Sequence, residues 1–292
     1  KMNPITKSIV LTPVNLIYDI SPKTAIKLLY RLKQGRKLNI DNPETYTEKL
    51  QWIKLYYKNH LLTKLVDKYT VREYVENRCP EILVPLIWQG FEPKDIPWDS
   101  LPNKYVIKVT HGSGLNIICT DNTQIDREAV ERKLRKWLKT KFIKCYGEWF
   151  YGIEKPRIVI EEYLDCETGK APEDYKIMCF SGEPKYILVD TDRFSNHKKN
   201  VYDLEFNIID NVSMGFPNDK PIVPPDKELT DLLLSYSKIL SKGFPHVRVD
   251  FYIVRKKIYF GELTFTMGAG FDKIRPFEFD IELGKWFALP QN

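Results

Sequence analysis

The sequence predicts an α+β protein built on antiparallel sheets, and three observations support this. Two pairs of strand-like runs, 175–180 with 185–190 and 247–254 with 257–263, are joined by turns too short for a crossover helix. Amphipathic stretches of helical period stand among such hairpins instead of alternating one for one with single strands, so the order is not that of a parallel α/β sheet. At 292 residues and 43% apolar composition, the chain has material for one large unit or two lobes, each with its own core.

Residues 22–32 place Ala25, Ile26, Leu28, Leu29 and Leu32 at helical spacing, which predicts a first helix. A second begins near Thr47 on a stripe of Leu50, Ile53, Leu55 and Tyr56. A third is expected over 67–75, where Lys68 and Arg72, four apart, would share a face. Pro80, Pro85, Pro93, Pro97 and Pro102 then mark a loop-rich passage holding one short apolar run, 82–87. Residues 105–108 and 115–120 predict two strands around the turn His111-Gly112-Ser113-Gly114.

Residues 126–144 predict an amphipathic helix on Val130, Leu134, Trp137, Leu138 and Phe142, with Asp126 as its N-cap. A strand over 157–164 ends in Glu161-Glu162-Tyr163-Leu164. After the 175–190 hairpin come a linker at 221–225 and a helix at 229–240 closed by Gly243. The last hairpin turns at Arg255-Lys256, and a glycine-bearing loop, 267–270, follows. The chain divides into regions of roughly 1–102, 103–165 and 166–292.

The net charge of +6 is mild and suits a slightly basic enzyme; it also suits contact with an anionic small molecule or polymer. Cys79, Cys119, Cys145, Cys166 and Cys179 are odd in number, with no Cys-x-x-Cys pair, which argues against a disulfide framework and a zinc ribbon. No apolar run approaches the ~20 residues of a membrane span, and no signal-peptide core follows the first residues. A cytoplasmic protein with reduced thiols is the expectation.

The last hairpin carries the most chemistry. Asp250 closes Val247-Arg248-Val249-Asp250, and Glu262 stands in Phe260-Gly261-Glu262-Leu263-Thr264. If the two acids face each other with no cation evident between them, they ask for one, and Mg²⁺ is the hard cation that accompanies phosphates. Thr264 returns to the face of Glu262, and Arg248 to that of Asp250, by strand alternation. An arginine there suits a transferring phosphoryl oxygen or an oxyanion. The plainer alternatives are exposed hairpin carboxylates and an Arg248–Asp250 salt bridge.

Lys108 before the small-residue turn can cradle phosphates, although neither a Walker A nor a Rossmann pattern is present and an ordinary hairpin explains the turn equally. Lys176, in Asp174-Tyr175-Lys176, opens the last region, and Arg193 can pair with a substrate carboxylate or with a surface acid. The basic residues from Arg132 to Lys144 surround an apolar stripe, which reads as the solvated face of a docked helix.

In their order along the chain these features resemble the ATP-grasp superfamily. More closely, they resemble the teichuronopeptide-biosynthesis (TupA-like) family of ATP-grasp proteins. The resemblance rests on Thr47-Glu48-Lys49-Leu50-Gln51-Trp52, Asp67-Lys68-Tyr69-Thr70-Val71-Arg72, the run from Leu101-Pro102 to Gly114, that from Asp174-Tyr175-Lys176 to Gly182, and that from Arg248 to Phe265. It spans roughly residues 40 to 290.

The resemblance implies two α+β lobes whose antiparallel sheets grip ATP, with 1–102 an N-terminal region, 103–165 the lid lobe and 166–292 the lobe holding metal and substrate. It implies that Lys108 and Lys176 hold phosphates, with Ser113 and Gly114 in the phosphate loop and Glu161, Glu162, Tyr163 and Leu164 as the adenine hinge. Asp250, Glu262 and Thr264 become Mg²⁺ ligands; Arg248 and Lys176 become the catalytic cations. Arg193, Gly268 and Gly270 are the candidate substrate contacts. Many ATP-grasp enzymes carry Asn where Thr264 stands, and Thr is the weaker ligand.

The implied activity is ATP-dependent carboxylate–amine ligation through an acyl phosphate, on a sugar acid of cell-surface polysaccharide assembly. Its partners would be a small-molecule or glycan carboxylate and an amine, with no nucleic acid. Three rivals stand: a kinase on the same fold, a glycosyltransferase using Asp190-Thr191-Asp192, and a binder of anionic polymer through the basic helix.

Overall fold

A computed structural model describes residues 4–112, 114–166, 172–191 and 197–291. It shows an α+β chain with two antiparallel sheets, as the hairpins predict. Two helices, α1 (Pro4–Ile20) and α2 (Pro22–Gln34), open it as a hairpin. Pro22 pre-sets the first turn of α2, and Ser21 caps it by accepting the Thr24 N–H. Helix α3 (Tyr46–Tyr56) starts on a reciprocal cap between Thr45 and Glu48. Short helices α4 (Leu61–Leu65) and α5 (Val71–Glu76) follow.

The first sheet runs β1-β4-β2-β3, with β1 at Leu86–Gly90, β2 at Tyr105–Val109, β3 at Asn116–Cys119 and β4 at Ile158–Glu162. Helix α6 (Arg127–Leu138) packs Val130 and Leu134 on Tyr105, Ile107, Ile158 and Ile160. Asp126 caps it through the Ala129 N–H at 2.9 Å, as expected. The helix stops at Leu138, short of the expected 144, and the chain next turns as a 3-10 segment at Lys144–Tyr146. The passage read as loop supplies β1, which pairs with β4 at the sheet edge.

The second sheet runs β10-β9-β5-β6-β7. Its strands are β5 (Asp174–Phe180), β6 (Glu183–Thr191), β7 (Lys198–Tyr202), β9 (His246–Val254) and β10 (Lys257–Thr264). A two-stranded patch pairs β8 (Ser213–Met214) with β11 (Ile274–Arg275), and α8 (Phe277–Trp286) ends the chain. One face of the large sheet is apolar along its length. Ile177, Ile187, Val249, Phe251 and Leu263 lie there under Leu233 and Leu240 of α7 (Lys227–Ser241) and beside Leu65 and Val75. Each such side chain contributes about 1.5–3 kcal/mol on burial.

The opposite face is divided. Met178, Phe180, Tyr186, Leu188 and Val201 pack on α3 and α8 through Tyr46, Leu50, Phe279 and Leu283. The other half of that face is charged, and it holds the candidate site.

Candidate active site

Strand register assembles the charges. Lys176 on β5 pairs with Asp250 on β9, which pairs with Glu262 on β10. Arg248 pairs with Thr264 in the next row, while Asp174, Asp190 and Lys199 align across β5, β6 and β7. A bulge between Phe260 and Glu262 makes this possible. Ile258 and Phe260 face the core before it, Leu263 and Phe265 after it, so Glu262 and Thr264 turn to the face of Asp250. Gly261 sits at the bulge, where a Cβ would stand 3.1 Å from the Asp250 carbonyl oxygen. The hairpin closes at Arg255-Lys256, both of positive φ, as a tight two-residue turn.

Arg248 donates from Nε to Asp250 Oδ1 and from Nη2 to Asp250 Oδ2, both at 2.7 Å. The same Nη2 reaches Glu262 Oε1 at 3.2 Å and Thr264 Oγ1 at 3.1 Å. The sequence leaves the two acids with no evident cation between them; the structure corrects this, because the guanidinium itself bridges them. Lys176 adds a bond to Asp250 at 2.9 Å, pairs closely with Asp174, and lies 3.5 Å from Asp190.

Burial opposes charge on all these groups, yet the partners outweigh it. Arg248 and Lys176 hold Asp250 below the ordinary carboxylate value against its burial. Asp250 and Asp174 raise Lys176 despite its burial, and Asp250 raises Arg248. Lys176, Arg248 and Asp250 therefore hold one another in their charged forms.

On the smaller sheet, Lys108 donates to Glu161 at 2.6 Å, and Arg72 donates to the other oxygen of Glu161 at 3.0 Å. Glu161 is buried in this pair, so it does not mark solvent as consecutive strand-end acids usually do. Glu162 is exposed, while Tyr163 and Leu164 are half-buried beyond β4. Gly114 is exposed with φ +73°; Ser113 lies outside the described residues.

Lys68, which the sequence placed on a helix face with Arg72, stands instead in a turn before α5. The Asp67 carboxylate accepts the N–H groups of Tyr69 and Thr70 there, and the Lys68 N–H donates to Thr110 O at 3.2 Å. Its ammonium donates to Gly112 O at 2.6 Å. Burial lowers its pKa; Glu262 on the large sheet opposes that, and Lys108 on the small one reinforces it. Lys68 thus feels the charges of both clusters while its own bonds go to the backbone of Thr110 and Gly112. Only the pairing of Asp67 with a following turn hinted at it.

The loop at 267–270 is held from α3. Lys54 donates to Ala269 O at 2.7 Å and Gln51 to Gly270 O at 2.7 Å. Gly268, Ala269 and Gly270 all have positive φ; a Cβ on Gly270 would meet Gln51 Nε2 at 2.4 Å. Gly268 is exposed and Gly270 buried. This anchoring role of Gln51 and Lys54 escaped the sequence reading because Gly270 and Ala269 are more than 200 residues away. Arg193 and Asp192 lie outside the described residues. His111 is tied to Thr140 O at 2.9 Å.

Among the described residues no group of three or more His, Cys, Asp or Glu gathers as a metal cage. The donor set still fits Mg²⁺, which takes one or two carboxylates and completes its shell with water and phosphate oxygens. Glu262, 41% exposed at its side chain, has the freer carboxylate; Asp250 is committed to Arg248 and Lys176. Thr264 donates its hydroxyl to Glu262 at 3.2 Å, so it orients that carboxylate. The described cysteines are free thiols, and no helix among the described residues is long and apolar enough to cross a membrane.

A family model described as TupA-like ATP-grasp matches residues 48–288. No curated protein matched the chain. Among solved structures, the chain is similar to D-alanine–D-alanine ligase from Bacillus anthracis, at 18% identity over 70% of this chain and 58% of that one, with a TM-score of 0.42. The D-alanine–D-alanine ligase from Helicobacter pylori aligns at 13% identity over 84% and 69%, with a TM-score of 0.46. An ADP complex of N5-carboxyaminoimidazole ribonucleotide synthetase aligns at 15% over 82% and 56%, with a TM-score of 0.44. The chain therefore spans less than two thirds of the first and third of these proteins.

Proposed function

We propose a ligase function on one premise: the chain belongs to the TupA-like ATP-grasp family. The protein joins a carboxylate to an amine at the expense of ATP. The observation that carries this reading is the hydrogen-bonded set Lys176, Asp250, Arg248 and Glu262 gathered on one sheet face.

Carboxylates are poor electrophiles, which is why ATP is needed. The substrate carboxylate takes the γ-phosphoryl group: a new P–O bond forms and the P–O bond to ADP breaks. The amine nitrogen then attacks the acyl carbon and sheds a proton, and the C–O bond to phosphate breaks. Lys108 and Lys176 position phosphates, and Gly114 and Ser113 are assigned to the phosphate loop. Glu161 through Leu164 face the base. Arg248 steadies the oxyanion of the tetrahedral species. Asp250 and Glu262 would hold Mg²⁺, which neutralises phosphate charge. Arg193, Gly268 and Gly270 are assigned to contact with the acid.

Residues 103–165 act as the lid lobe, and its closure over the 166–292 lobe excludes water from the acyl phosphate. The acid is a sugar acid of cell-surface polysaccharide assembly, handled in the cytoplasm; the family and the basic charge balance support this choice. The glycosyltransferase alternative is weakened, because Asp190 is buried among Lys176, Lys199 and His197.

The test is ADP release in the presence of acid and amine, together and separately. Release dependent on both, with a condensed product by mass, is expected; a product heavier by one phosphoryl group points to a kinase. Full turnover by the double variant Asp250→Asn, Glu262→Gln overturns the reading.

A further inference from the structure

The charge of the chain is unevenly placed. Residues 1–41 hold eight basic and two acidic residues, whereas 42–292 hold 37 of each, so the whole net charge of +6 sits in the opening segment. That segment is the α1–α2 hairpin and the few residues after it, and it lies ahead of the span 48–288 that the family model matches. Arg36 turns inward to Glu48 and Asp280, Lys33 to the Tyr146 and Phe271 rings, and Asp19 is matched by Lys144. Lys23 and Lys27 share one acid, Asp41, while Arg31 and Lys37 are exposed. The outward set is therefore four cations against one carboxylate.

The hairpin buries one side and leaves the other open. Val14 of α1 and Ala25, Ile26, Leu29 and Tyr30 of α2 pack in one cluster with Cys145, Ala269 and Phe271. Away from that cluster, Leu16 and Ile20 share a face of α1 at i, i+4 spacing, and Leu28 and Leu32 share one of α2. Ile20 is 88% exposed, Leu32 68%, Leu16 62% and Leu28 37%. Lys27 and Arg31 run beside Leu28 and Leu32 along the same helix. Single exposed apolar side chains are ordinary; four on one hairpin, flanked by cations, mark an interaction surface.

We propose that the outer side of the α1–α2 hairpin docks on an anionic lipid surface. Leu16, Ile20, Leu28 and Leu32 enter the headgroup layer, and Lys23, Lys27, Arg31 and Lys37 pair with lipid phosphates. A soluble polyanion would answer the charge and leave the apolar side chains in water. A second copy of the chain would cover the apolar side chains and bring like charge against like. An anionic bilayer surface answers both. The hairpin lies on that surface, since neither helix is long and apolar enough to cross it. The inference is independent of the ligase reading and concerns where the protein works.

The experiment is co-sedimentation of the full chain with vesicles of equimolar phosphatidylglycerol and phosphatidylcholine, and with vesicles of phosphatidylcholine alone. Binding to the anionic vesicles is expected to be at least about tenfold tighter and to weaken as salt rises. The triple variant Leu16→Ser, Ile20→Ser, Leu32→Ser is expected to lose about tenfold or more in affinity for them. The double variant Arg31→Glu, Lys37→Glu is expected to lose about tenfold. All five positions are exposed, so both variants are expected to keep the Tm of the unaltered protein. Lys136→Glu with Lys139→Glu, on and just after the basic helix α6, is expected to stay within about twofold. Absence of binding to the anionic vesicles overturns the proposal, as does equal binding to both vesicle types. Full retention by the triple variant assigns the charge to a soluble polyanion and also overturns it. So does an equal loss in the α6 variant, or a dimer that the triple variant parts while vesicles go unbound.

Discussion

Arg248 grips Asp250 through two parallel hydrogen bonds of 2.7 Å and with the same Nη2 reaches Glu262 at 3.2 Å. A planar fork can do this, and an ammonium cannot. Arg248→Lys is expected to fold and to lose about 10²–10³-fold in kcat for ADP release, the usual scale for one oxyanion donor. Lys176 still pairs with Asp250 in that variant, so urea denaturation is expected to show only a modest stability loss. Unchanged turnover would remove Arg248 from the mechanism.

Glu262 is the carboxylate with spare capacity. Glu262→Gln is expected to raise the Mg²⁺ concentration needed for half-maximal ADP release by about tenfold or more, with little change in Tm, because the side chain is partly exposed. Chelation of the metal is expected to stop turnover in the unaltered protein. A variant with the same Mg²⁺ dependence would show that the metal sits elsewhere.

The bulge at Gly261 turns Glu262 toward Asp250. A side chain there meets the Asp250 carbonyl at 3.1 Å and the Tyr252 ring at 3.3 Å. Gly261→Val is expected to cost about 1–3 kcal/mol in urea denaturation. A neutral substitution would mean that the strand can shift without straining the pair.

His246 is buried, donates from Nδ1 to Cys179 O at 2.8 Å and accepts from the Tyr46 hydroxyl at 2.9 Å. Burial pushes its pKa down from 6.5 to about 3. The unfolded chain therefore binds a proton that the folded one refuses. Stability from this group is complete above pH 6.5 and falls as pH drops toward 3, by at most about 1.4 kcal/mol per pH unit. The difference in pH slope between the unaltered protein and His246→Gln, followed by denaturation from pH 7.5 to 4.5, is expected to show it. Identical slopes would rule it out.

The hairpin that carries Arg248, Asp250, Glu262 and Thr264 was legible because period-two alternation and a two-residue turn are local properties. Its register was only partly so. Unbroken alternation from Phe260 puts Glu262 in the core, and the glycine between them was the one signal that a bulge intervenes. The edge strand at Leu86–Gly90 was missed because it sits among prolines and is half-buried throughout. Lys68 was drawn onto a helix by its i, i+4 spacing to Arg72, whereas a side-chain-capped turn at Asp67 took precedence. The Asp190–Lys199 pair had no local signature, since it depends on how β6 meets β7.

The most direct test of the central claim is a crystal structure of the full chain with ADP and Mg²⁺. The account predicts phosphates between Lys108 and Lys176, the base against Glu161–Leu164, and the cation on Glu262 and Asp250. Nucleotide bound away from these side chains, or a cation that touches neither carboxylate, would contradict it.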